Sequence, residues 1–407
     1  MRRSQRSHTA RILPALLAWG LAGVSVGAST QELWYHEQEL MFRGTTQTVK
    51  LPRGYTLEIL TRGLKEPRIL SFAENGDLFV GSRSGRVYRL EPPYRRPSIV
   101  VELPNYPHSV AVRNRQMLVA QTDGLYRAPY TPGERTIPEA AFDLLAPLPG
   151  GRGHNSRTVH VGPDGRVYLS LGISGNCSDQ FLGPGYPFAE RRGGILVLDE
   201  GNGGEPRWET YASGLRNPVG FDWHPETGVL YASNNGPDHL GYDQPPEYFS
   251  RIVPGSFHGM PWFQFDGKGI IRDPCIKSEP PRPREEVVPP AATFPARSAP
   301  MGVTFVPEGA MDRTLVGDAI VALHGSWGTQ PFGGYFGDPA TRRPPKLVVV
   351  RFEDGEPRRV DDLVSGFQLE DGERWARPVG VAIGPDGALY FTSDAGMHAL
   401  FRLRRKQ

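Results

Sequence analysis

Two alternating apolar strands joined by an Asp-Gly, Asn-Gly or similar turn recur six times along the 407 residues, and the recurrence predicts an all-β chain folded as a six-bladed β-propeller. Two further observations agree. A third short strand follows most copies, so one unit is a small antiparallel sheet. Glycine (49) and proline (40) make 89 of the 407 residues, too many for a helical enzyme and without the period of collagen.

The copies run in order. Residues 68–81 (RILSFAENGDLFVG) and 108–120 (HSVAVRNRQMLVA) are the first two. Residues 157–172 (RTVHVGPDGRVYLSLG) and 218–233 (PVGFDWHPETGVLYAS) are the next two. In 300–323 the turn is stretched, and 378–394 (PVGVAIGPDGALYFTSD) is the sixth. Third strands are expected over 85–90, 124–128, 193–199, 346–352 and 399–405. Such a sheet cannot bury both faces alone, and four-stranded blades packed radially around a channel solve this while leaving few open edges. Residues 55–60 (YTLEIL), N-terminal to the first blade, are expected to supply the outer strand of the last. Two β-sandwiches would not need one hairpin signature six times. The largest insertion, 263–299, is rich in proline and charge and reads as a loop over one face.

Residues 1–28 have the parts of a secretory signal: Arg2, Arg3, Arg6 and Arg11 with no acid, an apolar stretch over 12–26, and Val26-Gly27-Ala28 as a small-residue cleavage site. The stretch is shorter than the roughly 20 residues that span a bilayer. Residues 29–50 then form an N-terminal extension and 51–407 the propeller, with a periplasmic or secreted location expected. The formal charge is +2, but without those four arginines 42 basic residues face 44 acidic ones, and no basic patch interleaved with aromatics appears, so nucleic-acid binding is not expected. No later segment is apolar enough to cross a membrane. Cys177 and Cys275 are the only cysteines. In an exported chain such a pair is more often a disulfide than a metal site, although their separation does not by itself bring them together.

In a propeller the residues just before the innermost strands meet at one mouth of the channel. Alignment of the copies puts Arg68, His108, Arg157, Arg216 to Pro218, Ser298 to Pro300 and Arg377 there, with His154 three residues ahead of Arg157. Guanidinium groups facing one cavity repel each other unless something anionic sits among them, and a ligand with several carboxylates suits their paired donors. Beside this ring, Asn234-Asn235-Gly236-Pro237-Asp238 and the following Asp243 offer carbonyl, amide and carboxylate oxygens, hard ligands suited to Ca²⁺. Trp262 reads equally as a sugar-stacking face or as loop core. No P-loop, H-E-x-x-H or G-x-S-x-G is present.

The chain resembles the soluble quinoprotein sugar dehydrogenases, the glucose/sorbosone dehydrogenase family that uses pyrroloquinoline quinone (PQQ). The resemblance is carried by Gly153-His154-Asn155-Ser156-Arg157 with GPDG eight residues after the His, GLRNPVGFDWHPETG (214–228), NNGPD (234–238), FHGMPW (257–262), HGSW (324–327) and ARPVGVAIGPDG (376–387). It implies His154 as the general base and Arg216 with Asn217 at the quinone oxygens. It further implies Arg377 on a cofactor carboxylate, and Gly236 and Pro237 as carbonyl ligands of a calcium ion, with Asp238 or Asp243 as further ligands. A neutral imidazole suits proton abstraction from a hydroxyl.

Two departures bear on substrate. Glucose-oxidising members have a Lys near the position of His324 and a Gly where Arg157 follows the base, so the chain looks more like the sorbosone-type branch, with Arg157 and His324 as cofactor contacts. The expected activity is hydride transfer from an aldose or aldehyde sugar to PQQ, with a quinone or cytochrome as eventual electron acceptor. The alternatives are a non-catalytic propeller that binds sugar or protein, and a propeller lactonase. Lactonases need side-chain carboxylates on a central metal, whereas this mouth is rich in Arg and His.

Overall fold

The computed structural model describes residues 32–201 and 204–406. The leader, its cleavage site and the start of the extension lie outside the described residues. Among the described residues there is no α-helix, and no helix is long and apolar enough to cross a membrane.

Six sheets form the blades of a propeller. Blade 1 comprises Pro67–Phe72, Leu78–Ser82, Arg86–Leu90 and Ser98–Glu102, and blade 2 comprises Ser109–Arg113, Gln116–Gln121, Gly124–Pro129 and Asp143–Pro147. Blade 3 holds Val159–Val161, Val167–Leu171, Gly194–Asp199 and Arg207–Ser213, with Ser256–Phe257 added in parallel at its edge. Blade 4 holds Phe221–Trp223, Leu230–Asn234, Glu247–Ile252 and Ala292–Phe294, and blade 5 holds Pro300–Phe305, Ala319–Leu323, Lys346–Glu353 and Glu356–Val364. Blade 6 is Ala376–Ile383, Leu389–Gly396 and Ala399–Arg405, closed by Tyr55–Thr61 from the other end of the chain.

The expected closure is therefore present. Leu57 pairs with Leu403 and Glu58 with Arg402 in the antiparallel register. Arg402 and Arg404 both bond the Glu58 carboxylate, at 2.6 and 2.9 Å.

The turns repeat as closely as the strands. In blade 3, Asp164 of the GPDG turn accepts from Arg166 N at 3.0 Å and from the Tyr168 hydroxyl at 2.8 Å. In blade 6, Asp386 accepts from Ala388 N at 3.2 Å and from the Tyr390 hydroxyl at 2.9 Å. One carboxylate thus caps its own turn and satisfies a tyrosine four residues on, which matches the Asp-Gly signature to a hairpin with a fixed register.

Around the channel the blades are sewn together by side-chain hydroxyls. Ser71 Oγ donates to Val110 O at 2.5 Å, Ser109 Oγ to Arg157 O at 2.8 Å, and Thr158 Oγ1 to Val219 O at 2.5 Å. Ser233 Oγ donates to Met301 O and Thr392 Oγ1 to Arg68 O, both at 2.6 Å. At the junction of blades 5 and 6 the backbones themselves approach: a Cβ on Gly302 would lie 2.7 Å from Val379 O. Gly380 stands likewise against Arg68 O, so the recurring Pro-x-Gly of the leads marks where the next blade needs room. Between the blades lie apolar layers, such as Tyr231 of blade 4 edge-on to Phe352 of blade 5 and Phe72 of blade 1 edge-on to Tyr390 of blade 6, both at 5.2 Å.

Two features differ from expectation, and a third resolves an open one. From Tyr35 the extension is a hairpin, Tyr35–Phe42 with Thr45–Pro52, whose Lys50 exchanges two 3.0 Å backbone bonds with Ser365 at the edge of blade 5. The 263–299 insertion is not all loop: Phe263–Phe265 and Ile270–Arg272 pair, and Ala292–Phe294 returns as the outer strand of blade 4. Trp262 is wholly buried with its Nε1 donating to Ser278 Oγ at 3.0 Å, so it belongs to the core of that insertion.

Because the ring closes through Tyr55–Thr61, Leu57→Ala, at a position 1% exposed, is expected to lower the unfolding free energy by about 3 kcal/mol in a urea titration. A loss below about 1 kcal/mol would show that closure contributes little.

Candidate functional site

The mouth of the channel above blades 3 and 4 holds a cavity of about 160 Å³ lined by His154, Arg216, Asn217, Gly236 and Asp238 among others. Five of the sequence-predicted residues therefore converge. His154 sits on the lead into blade 3, and its Nδ1 lies 2.5 Å from the carbonyl of Ile173. A carbonyl only accepts, so Nδ1 carries the hydrogen and Nε2 keeps its lone pair for the cavity. Burial, then the Arg216 charge, pushes the imidazole down to about 3, so it is neutral at physiological pH.

Two buried arginines hold this lead in place. Arg157 donates to the carbonyls of His154 and Ser156 at 2.9 Å and of Pro149 at 3.1 Å. Arg192 donates to Gly172 O at 2.7 Å and His154 O at 2.8 Å. Arg157 is 0% exposed, and these contacts direct it to the backbone under His154 rather than into the cavity. Burial lowers both guanidinium groups from the usual arginine value, Arg192 to about 10.

On the other side, Arg216 donates to Asn176 Oδ1 at 2.5 Å and lies 3.3 Å from Asp238 Oδ2. Arg297 takes the second Asp238 oxygen at 2.8 Å. One carboxylate thus separates two buried cations that would otherwise repel. The Arg297 backbone has φ +71°, a costly conformation for a side-chain-bearing residue, and its guanidinium is tied to Asp238 and to Gly241 O. Glu247 lies beneath Gly236 and accepts its N–H at 2.5 Å, and burial raises this carboxyl to about 7.

His324 and Arg377 belong to an adjoining cluster. His324 Nε2 lies 2.7 Å from Asp394 Oδ1, whose other oxygen is 2.5 Å from Arg68, while Arg377 donates to His324 O at 2.9 Å and Gly325 O at 3.0 Å. Burial alone would raise the Asp394 carboxyl, but His324 and Arg68 outweigh it and hold the group well below the carboxylate range. Burial and Arg377 push His324 down to about 4. Asp243 stands apart, exposed at the surface and paired with Arg343 at 2.6 Å. Pro237 is buried beside Gly236 without lining the cavity.

The donor set fits a quinone with several acid groups. Arg216 Nε at the cavity and Arg68 Nε in the adjoining cluster are buried donors without a protein partner, and Asn217 Oδ1 is a buried acceptor without one. The oxygens of Asn176, Gly236, Pro237 and Asp238 suit a hard cation. Cys177, Cys275 and His239 also approach one another, but the two sulfurs are bonded across a separation of 98 residues and His239 faces Asp273 at 3.0 Å. This disulfide anchors the residue next to Asn176 to the insertion.

Asn176, Glu247, Arg297 and Trp327 were not predicted. Arg297 had a signal: ARSAPMG repeats the Arg-to-Pro-x-Gly lead of LRNPVG and ARPVG. Asn176 and Glu247 had none: Glu247 lines the cavity and Asn176 bonds Arg216 and the Asp238 amide behind it, each from elsewhere in the chain.

A family model described as TrAA12-like matches residues 49–248 and 278–405. An uncharacterized protein of Borreliella burgdorferi is 25% identical over 366 residues, 86% of this chain and 89% of that one. Among solved structures, the holo form of the pyranose dehydrogenase PQQ domain from Coprinopsis cinerea is similar with TM-score 0.70 at 20% identity, covering 88% of this chain and 97% of that one. The calcium structure of the Trichoderma reesei carbohydrate-active enzyme family AA12 is similar with TM-score 0.72 at 17% identity, covering 88% and 96%. The PQQ-bound aldose sugar dehydrogenase of Streptomyces coelicolor follows with TM-score 0.59 at 18% identity, covering 88% and 100%. At these identities the likeness establishes the shared fold.

Two outcomes are expected of this site. The folded imidazole of His154, near 3, lies below its ordinary 6.5, so stability is full above 6.5 and falls as the pH drops toward 3 while the unfolded chain alone takes up the proton. Between pH 6.5 and 4.5 the cofactor-free protein should lose about 2 kcal/mol more than His154→Gln in urea titrations, and equal losses would mean an imidazole that titrates normally. Reduction of Cys177–Cys275 is expected to lower the unfolding free energy by about 3 kcal/mol or more, and an unchanged urea midpoint would contradict this.

Proposed function

Because the chain belongs to the TrAA12-like family, we propose that it is an exported oxidoreductase that oxidises an aldose or aldehyde sugar with PQQ held in place by Ca²⁺. The observation that carries this reading is His154, a neutral imidazole locked through Nδ1 with Nε2 left for a cavity that also holds Arg216 and Asn217. The PQQ-bound and calcium-bound relatives support it.

When bound, PQQ supplies a two-electron acceptor for the hydride released from the sugar carbon. His154 takes the proton of the same carbon's hydroxyl on Nε2, so that C–H and O–H are lost together and C=O forms. Arg216, buried and fixed by Asn176 and Asp238, presents a positive charge where oxygen charge grows on reduction. Asn217 adds a polar contact beside it. Arg157 and Arg192 keep the base in register by gripping its carbonyl, a positioning role. Gly236, Pro237 and Asp238 would hold the calcium ion, with Glu247 fixing the Gly236 amide beneath them. Arg68 and Arg377 would meet the acid groups of the cofactor, with His324 holding Asp394 beside them. The leader and the disulfide fit an oxidising, periplasmic or secreted setting. Reducing equivalents would pass on to a quinone or a cytochrome.

Purified without its leader, the protein should reduce an electron-accepting dye with aldoses or sorbosone only when PQQ and Ca²⁺ are both supplied. Chelation of the metal should abolish the reaction. His154→Ala should lower turnover by about 10² to 10⁴ while PQQ binding is retained. Absence of PQQ binding would overturn the proposal.

A further inference from the structure

The cavity is bordered by a segment of unusual composition. Residues 325–337 (GSWGTQPFGGYFG) contain no charged residue, and Trp327, Phe332, Tyr335 and Phe336 within them are 38%, 82%, 72% and 96% exposed. Eleven large apolar side chains are exposed among the described residues, and four of them fall in this one stretch. Scattered exposed apolar residues are ordinary, whereas a cluster beside a cavity marks a binding surface.

The cluster is built rather than loose. Thr329 N and Oγ1 both donate to Gly334 O, at 2.9 and 3.0 Å, Gly333 N donates to Thr329 O at 2.8 Å, and Ser326 Oγ to Gly328 O at 2.7 Å. Trp327 lines the cavity with Gly325 and Ser326, and its ring lies 5.8 Å from the Arg297 guanidinium and 4.4 Å, centroid to centroid, from Tyr335. Trp327 therefore braces Tyr335 from the cavity side and leaves that ring standing in water. Flat aromatic faces in a fixed loop, interspersed with hydroxyl and amide groups and without charge, match the apolar C–H face and hydroxyl rim of a neutral pyranose. A charged partner would find nothing to pair with in this segment.

We propose that this aromatic platform is a second sugar subsite, so that the substrate is a neutral oligosaccharide whose reducing-end ring enters the cavity while the next ring stacks on Tyr335, flanked by Phe336 and Phe332. The inference rests on the sugar-oxidising reading for its reacting ring, but the platform is testable without turnover.

The test is titration of the full chain, free of cofactor, with glucose, maltohexaose and cellohexaose, followed by tryptophan fluorescence and by calorimetry. At least one hexaose should bind in a saturable manner and more tightly than glucose. Tyr335→Ala should weaken that hexaose about tenfold without changing glucose, and Tyr335→Phe should restore it. No saturable hexaose binding, or equal affinity in Tyr335→Ala, would overturn the subsite. So would binding of lipid vesicles in place of the hexaoses that Tyr335→Ala abolishes. Hexaose binding that depends on Tyr335 supports the platform even where dye reduction fails, a failure that counts against the dehydrogenase reading alone. Turnover of monosaccharides without a hexaose preference would sink only the platform.

Discussion

The seam of hydroxyl-to-carbonyl bonds around the channel is the constraint on which the rest of the molecule depends. Ser71, Ser109, Thr158, Ser233 and Thr392 each reach the innermost backbone of the next blade, and Gly302 lets that backbone approach where no hydroxyl bridges it. These bonds lie in the interior, where an unpaired polar group is costly, so each blade has one angular position relative to its neighbour. The basic side chains and the imidazole at the mouth stand on leads that begin where the seam ends. His154, Arg216, Arg297 and Arg377 therefore converge because the ring closes at one angle per blade.

A second constraint is electrostatic. The mouth collects cations in a small buried space and distributes them between two carboxylates and a set of carbonyls. Asp238 separates Arg216 from Arg297, and Asp394 joins Arg68 to His324. Arg157 and Arg192 have only carbonyl partners in their hydrogen bonds, so they act as struts. The resulting positive field, added to burial, keeps His154 unprotonated, the state a proton acceptor needs. The same field suits an anionic cofactor, which would complete the charge balance of the mouth.

The propeller was legible because its signal is repeated. The inner hairpins carry Asp-Gly turns and apolar alternation in copy after copy, and the Pro-x-Gly leads recur at the seam. The outer strands were harder to see. Arg207–Ser213 and Glu356–Val364 are the outer strands of their blades' four, with many polar and only partly buried residues, and Ala292–Phe294 is only three residues long at the end of an insertion. At the site, motif neighbours such as Arg216 and Asn217 were readable together, whereas Asn176 and Glu247 were not. Each of those two contributes a single oxygen from a loop or strand with no repeat to mark it.

Local patterning within the chain thus determined the number of blades, the chain-end closure through Tyr55–Thr61, and the ring of basic leads, because period, turn chemistry and strand alternation are encoded over a few residues. Only the tertiary structure decided which of those leads face the cavity. It turned Arg157 to the backbone and Asp243 to the surface, joined Cys177 to Cys275, and buried Trp262. Those outcomes depend on which groups the folded chain brings within bonding or packing distance, a matter of segments far apart in sequence.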